Sequence, residues 1–310
     1  GEADLRTAAR WLGSAKTVGS NGGSGGTASG NADGSSCAEA MGANHVGDPI
    51  DASTGNYYLQ EDDYEGGPWL TFRRFYNSNG AIAPAAMGFR WRHIFDRSLI
   101  ISGVPANTII SLRPDGKQAT YTRSDSLSAW TTDTPTDVLT DIHDGQGAIT
   151  GYTLFVGGSR QTETYDLVGH LISVLGQDGQ GITLTYTTTP APAIGLLATV
   201  TDSNGRQLKF SYDSSARVSV VKLPDGKQLA YSYNFSSSNL SSVVYADDHT
   251  RSYTYNESGF VGTTPLPNAL TGITDERGIR YESITYDNLG RATSSAFNGN
   301  VGKTQIAYQA

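Results

Sequence analysis

The chain of 310 residues has one cysteine, Cys37, so it forms no internal disulfide, and a protein without disulfides is stable on either side of a membrane. Its histidines, His45, His93, His143, His170 and His249, stand apart, with no second histidine or cysteine at ligand spacing, which removes a zinc pattern. No apolar run reaches the roughly 18 residues of a spanning helix, and no charged-then-apolar leader opens the sequence. Cations are scarce: 22 Lys and Arg against 30 Asp and Glu leave a net charge of -8. That sign opposes a general affinity for nucleic acid or anionic membranes. A hydrophobic fraction of 37% and a mean hydropathy of -0.35 describe a soluble chain with enough apolar mass for a core.

What the chain does have is a recurring tyrosine followed by a small polar or acidic residue: Tyr165-Asp166, Tyr186-Thr187, Tyr212-Asp213, Tyr233-Asn234, Tyr255-Asn256, Tyr286-Asp287 and Tyr308-Gln309. The steps between the tyrosines are 21, 26, 21, 22, 31 and 22 residues, the signature of a stacked unit with occasional insertions. Within a unit, Leu208, Phe210 and Tyr212 alternate with Lys209 and Ser211, which predicts a half-buried strand. Val218, Val220 and Val221 carry the next strand, and Pro224-Asp225-Gly226-Lys227 supplies a tight turn whose glycine suits a positive φ. Leu229, Tyr231 and Tyr233 resume the alternation, as do Tyr253 and Tyr255 after Asp247-Asp248-His249. Similar turns stand at Asp178-Gly179, Asn204-Gly205 and Arg277-Gly278. The fold class is therefore all-β, an antiparallel ribbon of hairpins. Pro114-Asp115-Gly116-Lys117-Gln118 repeats Pro224-Asp225-Gly226-Lys227-Gln228, each with a tyrosine three residues on (Tyr121 and Tyr231), so the ribbon is expected to begin before residue 115.

Three zones are expected. Residues 1–36 hold a short helix over Asp4 to Val18, then a Gly/Ser-rich linker from Gly19 to Ser36 too polar to bury a core. Residues 37–160 form a β-rich region that precedes the repeats, and residues 161–310 form the tyrosine ribbon.

Between linker and repeats lie three ordered motifs. The first is Val46-Gly47-Asp48-Pro49-Ile50-Asp51-Ala52-Ser53-Thr54-Gly55-Asn56-Tyr57, the second Leu70-Thr71-Phe72-Arg73-Arg74-Phe75-Tyr76-Asn77-Ser78, and the third Gly88-Phe89-Arg90-Trp91-Arg92-His93-Ile94-Phe95-Asp96. With the tyrosine repeats they resemble the Rhs (rearrangement hot spot)/YD-repeat family over residues 37 to 310. The resemblance implies the N-terminal part of a spiralled β shell from a bacterial polymorphic toxin or secreted effector. Such a shell encapsulates or presents a toxin domain and is itself noncatalytic, without a cofactor. It implies a secreted or cell-surface location and, as family-motif positions, Gly47, Asp48, Pro49, Asp51, Thr54, Gly55, Trp91, His93, Phe95 and Asp96. Because an open ribbon leaves unpaired edges, the expected partners are the rest of the shell or a toxin domain, in cis or as a separate chain, or another copy of this chain.

Several constellations admit a sharper reading. Trp91, His93, Phe95 and Arg97 alternate with Arg90, Arg92, Ile94 and Asp96, so an extended segment offers an aromatic face that, with Arg73 and Arg74, is either an anion or sugar site or a core strand whose polar groups are paired. The core reading is preferred, since buried polar groups find partners. Glu61-Asp62-Asp63-Tyr64-Glu65-Gly66-Gly67 lacks the alternating pattern of a calcium loop and is expected to be a solvated turn. Asp48-Pro49-Ile50-Asp51 reads as turn chemistry rather than a catalytic carboxylate pair. The periodic tyrosines are expected to form a packing ladder, with the Asp or Asn after each capping the next turn. A carbohydrate-binding module using exposed tyrosine rings is the alternative, distinguished by where Tyr231 and Tyr253 point.

Overall fold

The computed structural model describes residues 45–46, 50–80, 85–103, 105–188 and 195–309. The expected helix and linker, Cys37, and the motif residues Gly47, Asp48 and Pro49 lie outside the described residues. All pairing between the strands described is antiparallel, and the strands fall into three sheets in chain order.

The first sheet contains β1 (His45–Val46), β2 (Ile50–Asp51), β3 (Asn56–Glu65), β4 (Thr71–Asn77) and β5 (Trp91–His93). The second contains β6 (Ser98–Ser102), β7 (Thr108–Leu112), β8 (Gln118–Thr122) and β9 (Thr131–Thr132). The third is a ribbon of fifteen strands in sequence order. It opens with β10 (Val138–His143), β11 (Ile149–Val156), β12 (Gln161–Tyr165), β13 (Leu171–Leu175) and β14 (Gly181–Tyr186). It continues through β15 (Leu197–Asp202), β16 (Gln207–Tyr212), β17 (Val218–Lys222), β18 (Gln228–Tyr233) and β19 (Leu240–Val244). It ends with β20 (Thr250–Tyr255), β21 (Leu270–Thr274), β22 (Arg280–Tyr286), β23 (Ala292–Phe297) and β24 (Val301–Gln305).

Alternation sets the faces as the sequence predicts: Leu208, Phe210, Leu229, Tyr231 and Tyr253 are buried, while Lys209 and Ser211 are exposed. The turn glycines Gly179, Gly205, Gly226 and Gly278 all have positive φ, at 74°, 78°, 88° and 76°. In β17 the simple alternation fails, since Val218 and Val221 are buried and Val220 is not. The cause is a bulge: Ser211 pairs with Val220 but Tyr212 pairs with Val218, so Ser219 is an extra residue that shifts the strand's facing by one.

Two expectations are corrected. The ribbon does not run unbroken from before residue 115: the Pro114–Gln118 turn joins β7 to β8 in the second sheet, and the long sheet starts at Val138. Between them, the loop 133–137 carries Pro135, which has no amide to donate to a ladder. The acidic stretch Glu61 to Glu65 is not a solvated turn but the end of β3. Register places Glu61 opposite Arg74 and Asp62 opposite Arg73, so cross-strand charge pairing favours a strand there, and Glu61 and Asp63 are buried.

The first two sheets lie against the ribbon's apolar face and form one core with it. Phe72 meets the edges of Phe210 and Tyr231 at ring-centroid distances of 5.6 and 6.1 Å, and Trp91 meets Tyr253 at 5.1 Å. At Gly169 (φ 89°) the turn after β12 passes so close to Leu99 that a Cβ would strike the Leu99 carbonyl, and the Leu99 amide donates to the Gly169 carbonyl at 3.0 Å.

Candidate functional site

Every repeat tyrosine from Tyr165 to Tyr286 ends a ribbon strand, and at each the register slips by one residue. The residues paired with them across the bulge are Leu171, Leu197, Val218, Leu240, Leu270 and Ala292, all buried. A bulge disrupts the ladder locally, so its carbonyl needs a donor from elsewhere. The next repeat supplies it. The hydroxyls of Tyr186, Tyr212 and Tyr233 donate to the carbonyls of Leu171, Leu197 and Val218, each at 2.8 Å. Tyr255 donates to Leu240 at 2.7 Å, Tyr286 to Leu270 at 3.0 Å and Tyr308 to Ala292 at 2.7 Å. Phenylalanine would fill the same space but leave six buried carbonyls without this partner, which is the physical reason for tyrosine.

The residue after the tyrosine organises the turn. Asp213 Oδ1 accepts from the amides of Ser215 and Arg217 at 2.9 and 3.0 Å, and Asp287 Oδ1 from Leu289 and Arg291, both at 2.9 Å. Asp166 does the same with Val168 and His170 at 3.0 and 2.8 Å. The second carboxylate oxygen holds the basic side chain four residues on: His170 Nδ1 at 3.2 Å, Arg217 Nε at 2.8 Å and Arg291 Nε at 2.7 Å. These basic groups then cover the next tyrosine. His170 stacks on Tyr186 at 4.7 Å, Arg217 lies 4.4 Å from the Tyr233 ring centre, and Arg291 4.3 Å from that of Tyr308. Asn234 and Asn256 head longer turns: the Asn234 amide donates to the Asn239 carbonyl at 2.9 Å, and Asn256 Oδ1 accepts from the Leu266 amide at 2.7 Å. Sequence reading missed His170, Arg217 and Arg291. The signal was present as Asp-x-x-Gly/Ala-basic, in Asp166 to His170, Asp213 to Arg217 and Asp287 to Arg291.

Where the first two sheets meet the ribbon, charged groups are buried and paired with opposite charges. Arg74 binds Asp63 through Nε at 2.5 Å and Nη2 at 2.8 Å, and Nη2 also donates to the Tyr253 hydroxyl at 3.0 Å. Tyr231 donates to the same Asp63 at 2.8 Å, and the guanidinium lies 4.8 Å from the Trp91 ring centre. Beside this cluster, Arg251 bridges Glu61 at 2.5 Å and Glu276 at 2.9 Å. Further along, Glu163 is gripped by Arg97 and Arg113, both at 2.6 Å, and accepts from Tyr165 at 2.6 Å. At the opposite end, Tyr57 donates to Glu282 at 2.9 Å, and Tyr76 both accepts from the Leu270 amide at 2.9 Å and donates to the Asn268 carbonyl at 2.8 Å.

Electrostatics follow from this pairing. Burial alone would raise the Glu163 pKa, but Arg113, Arg97 and the Tyr165 hydroxyl overcome it and hold the carboxyl at about 2. Burial raises Glu61 despite Arg251, and raises the phenols of Tyr186, Tyr212, Tyr233, Tyr253, Tyr255 and Tyr286. His93 is pushed down by burial and sits with Nε2 3.1 Å from Asp96. The Glu163 and Glu61 pairs neutralise charge between the first two sheets and the ribbon, while the ladder phenols hydrogen bond within the ribbon.

The motif residues divide accordingly. Trp91, His93 and Phe95 are buried against the ribbon, Trp91 donating to the Tyr255 hydroxyl at 2.9 Å, while Asp96 accepts from the His93 amide at 3.0 Å. Asp51 caps the turn through Ser53 and Thr54, and the Gly55 carbonyl accepts from the Ala292 amide at 2.8 Å. Arg73 and Arg74 pair with Asp62 and Asp63. The rings of Tyr231 and Tyr253, 5% and 3% exposed, point into the core rather than outward for a sugar. Among the described residues, no group of three or more His, Cys, Asp or Glu side chains is placed to hold a metal ion, and no helix is long and apolar enough to cross a membrane.

Residues 47–121 match the family model described as "Domain of unknown function (DUF6531)", and residues 115–309 match that described as "Teneurin YD-shell". The second match begins at the Pro114–Gln118 turn, ahead of the long sheet. No curated protein matches the chain. Solved structures with similarity include a Photorhabdus luminescens Tc holotoxin pore carrying a TccC3 mutation, at 16% identity and TM-score 0.31 over 82% of this chain and 14% of that chain. Others are a TcdB2-TccC3-TEV crystal structure, at 14% identity and TM-score 0.32 over 78% and 11%, and a TcdB2-TccC3 crystal structure, at 17% and 0.30 over 81% and 15%. This chain thus spans 11% to 15% of the length of those solved chains.

Proposed function

We propose, from the premise that this chain belongs to the Teneurin YD-shell family, that it is a noncatalytic wall segment of an Rhs-type shell that encapsulates or presents a toxin domain, and that its residues before the ribbon close one end of that container. One observation carries this reading: side chains in and between the first two sheets engage the ribbon from Glu163 on β12 to Glu282 on β22. The inner face of this stretch is thereby filled by the chain's own residues, which suits an end wall rather than a cavity for cargo. Within this wall we place the boundary between the β region before the repeats and the tyrosine ribbon at residues 160 and 161, while the two matching sequence families meet at 115–121. β10 and β24 stand at the two ends of the strand order, each paired on one side among the described strands. Further shell, in cis or as a separate chain, is the partner that would continue such an edge. A secreted or cell-surface setting accords with that role.

The test is protease protection of the polypeptide enclosed by the longer shell that contains this segment. The enclosed polypeptide is expected to survive digestion, and Asp63→Ala with Arg74→Ala to accelerate its loss. Digestion at the rate of the isolated polypeptide, with the seam intact, would overturn the proposal.

A further inference from the structure

On the ribbon's outer face, Lys209 of β16 stands directly opposite Lys222 of β17, and both side chains are exposed. Like charges facing each other across an antiparallel pair are destabilising, and among the described residues neither ammonium has a carboxylate at ion-pair distance. The repeat itself shows that the fold does not require them. At the equivalent pairing three residues before the other tyrosines stand Thr162/Leu175, Thr183/Thr201, Ala230/Val244, Ser252/Thr274 and Ser283/Ala296. Five rungs carry small or uncharged residues, and one carries two cations.

These lysines also line an open groove of about 560 Å³ between the successive turns 202–206 and 223–227, shared with Gly205, Arg206, Gln207 and Pro224. Its other charged groups are Arg206, which binds Asp202 at 2.7 Å, and Asp225, which accepts from the Lys227 amide at 3.0 Å and leaves the two lysines in excess of it. Directly opposed residues have Cβ atoms roughly 5 Å apart, so two flexible ammonium groups converge on one anionic group.

We propose that the Lys209/Lys222 notch is a binding site for an oxyanion, the phosphate or carboxylate group of a ligand docking on the outer wall. It is a local cationic exception on a chain of net charge -8. The occupant neutralises the repulsion that the other rungs avoid.

Calorimetric titration at low ionic strength with inorganic phosphate and with tri-glutamate tests this, using the wild-type chain and K209T/K222T, which copies the Thr183/Thr201 rung. At least one probe is expected to bind the wild type roughly tenfold or more tightly than the variant, about 1.4 kcal/mol, and added salt weakens that binding. The same probe raises the melting temperature of the wild type and not of the variant, whose own unliganded midpoint is equal or higher. Binding of phosphate alone assigns a phosphate-bearing ligand, and of tri-glutamate alone a carboxylate-bearing one. If neither probe binds, or the folded variant binds equally well, the inference is wrong.

Discussion

Replacing Tyr255 by phenylalanine removes one oxygen and leaves the ring, so it isolates the hydroxyl's contribution from packing, whose loss on truncation to alanine costs about 3–5 kcal/mol. That oxygen has two partners. It donates to the Leu240 carbonyl at 2.7 Å and accepts from the Trp91 indole at 2.9 Å, and both Leu240 and Trp91 are fully buried. Each buried group left unpaired costs about 1–3 kcal/mol, so Tyr255→Phe is expected to lose roughly 4 kcal/mol. Tyr212 serves the Leu197 carbonyl at 2.8 Å, so Tyr212→Phe loses roughly 2 kcal/mol by the same reasoning. With a shift of about 2–4 °C per kcal/mol for a domain of this size, the melting temperature falls by roughly 6 °C for Tyr212→Phe and 12 °C for Tyr255→Phe. Urea denaturation at neutral pH gives the free energies, and hydrogen exchange at residues flanking Leu197 and Leu240 locates the loss. Both variants within about 0.5 kcal/mol of wild type, the usual range for uninvolved surface positions, would refute the account of tyrosine as the partner of a bulge carbonyl, and equal losses would refute the added share of the Trp91 indole.

Two pH responses follow from the buried groups. The ladder phenols have folded pKa values raised by burial, so their stabilisation is complete below the unfolded value of about 10 and is lost as pH rises through the folded values. Phenolate absorbance is expected to appear together with loss of the β signal on alkaline titration; phenolate forming near pH 10 in an intact fold would contradict this. Glu163, held at about 2, contributes stability that is complete above its unfolded value and is lost as pH falls from there through about 2. Glu163→Gln leaves Arg97 and Arg113 without their shared anion and is expected to cost about 3–5 kcal/mol at pH 7, while flattening the acid limb of a urea stability profile. An unchanged acid limb in the variant would show that another carboxylate governs it.

The elements legible in the sequence were local ones. The tyrosine spacing, the alternation in β16 and β18, and the Asp-Gly turns each depend on a few neighbouring residues, and they define strands and their faces. What was illegible was long-range: nothing near Tyr57 indicates that its hydroxyl meets Glu282, 225 residues away. The acidic end of β3 was misread because its charge looks solvated until Arg73 and Arg74 are placed opposite it by register. Bulges hid the facing of Val220 and Val221, since one extra residue inverts a period of two. The Pro114 turn matched its later copy locally, yet sheet membership is decided by the interruption at Pro135. The basic residues His170, Arg217 and Arg291 are close in sequence to their aspartates but vary in type, so the tyrosine spacing does not reveal them.

The tyrosine hydroxyls give the wall a direction. Each phenol reaches back 15 or 16 residues to fasten the hairpin already laid down, and none of these six bonds needs a residue later in the chain. A ribbon emerging from the ribosome can therefore lock each turn as soon as the following tyrosine appears, like a ratchet advancing one tooth at a time. Mechanical or thermal unravelling is correspondingly asymmetric. Peeling strands from the C-terminal side releases the latches one at a time, with the seam bonds of β22 and β20 yielding as each strand is reached, whereas opening the N-terminal side breaks the buried charges of the seam first.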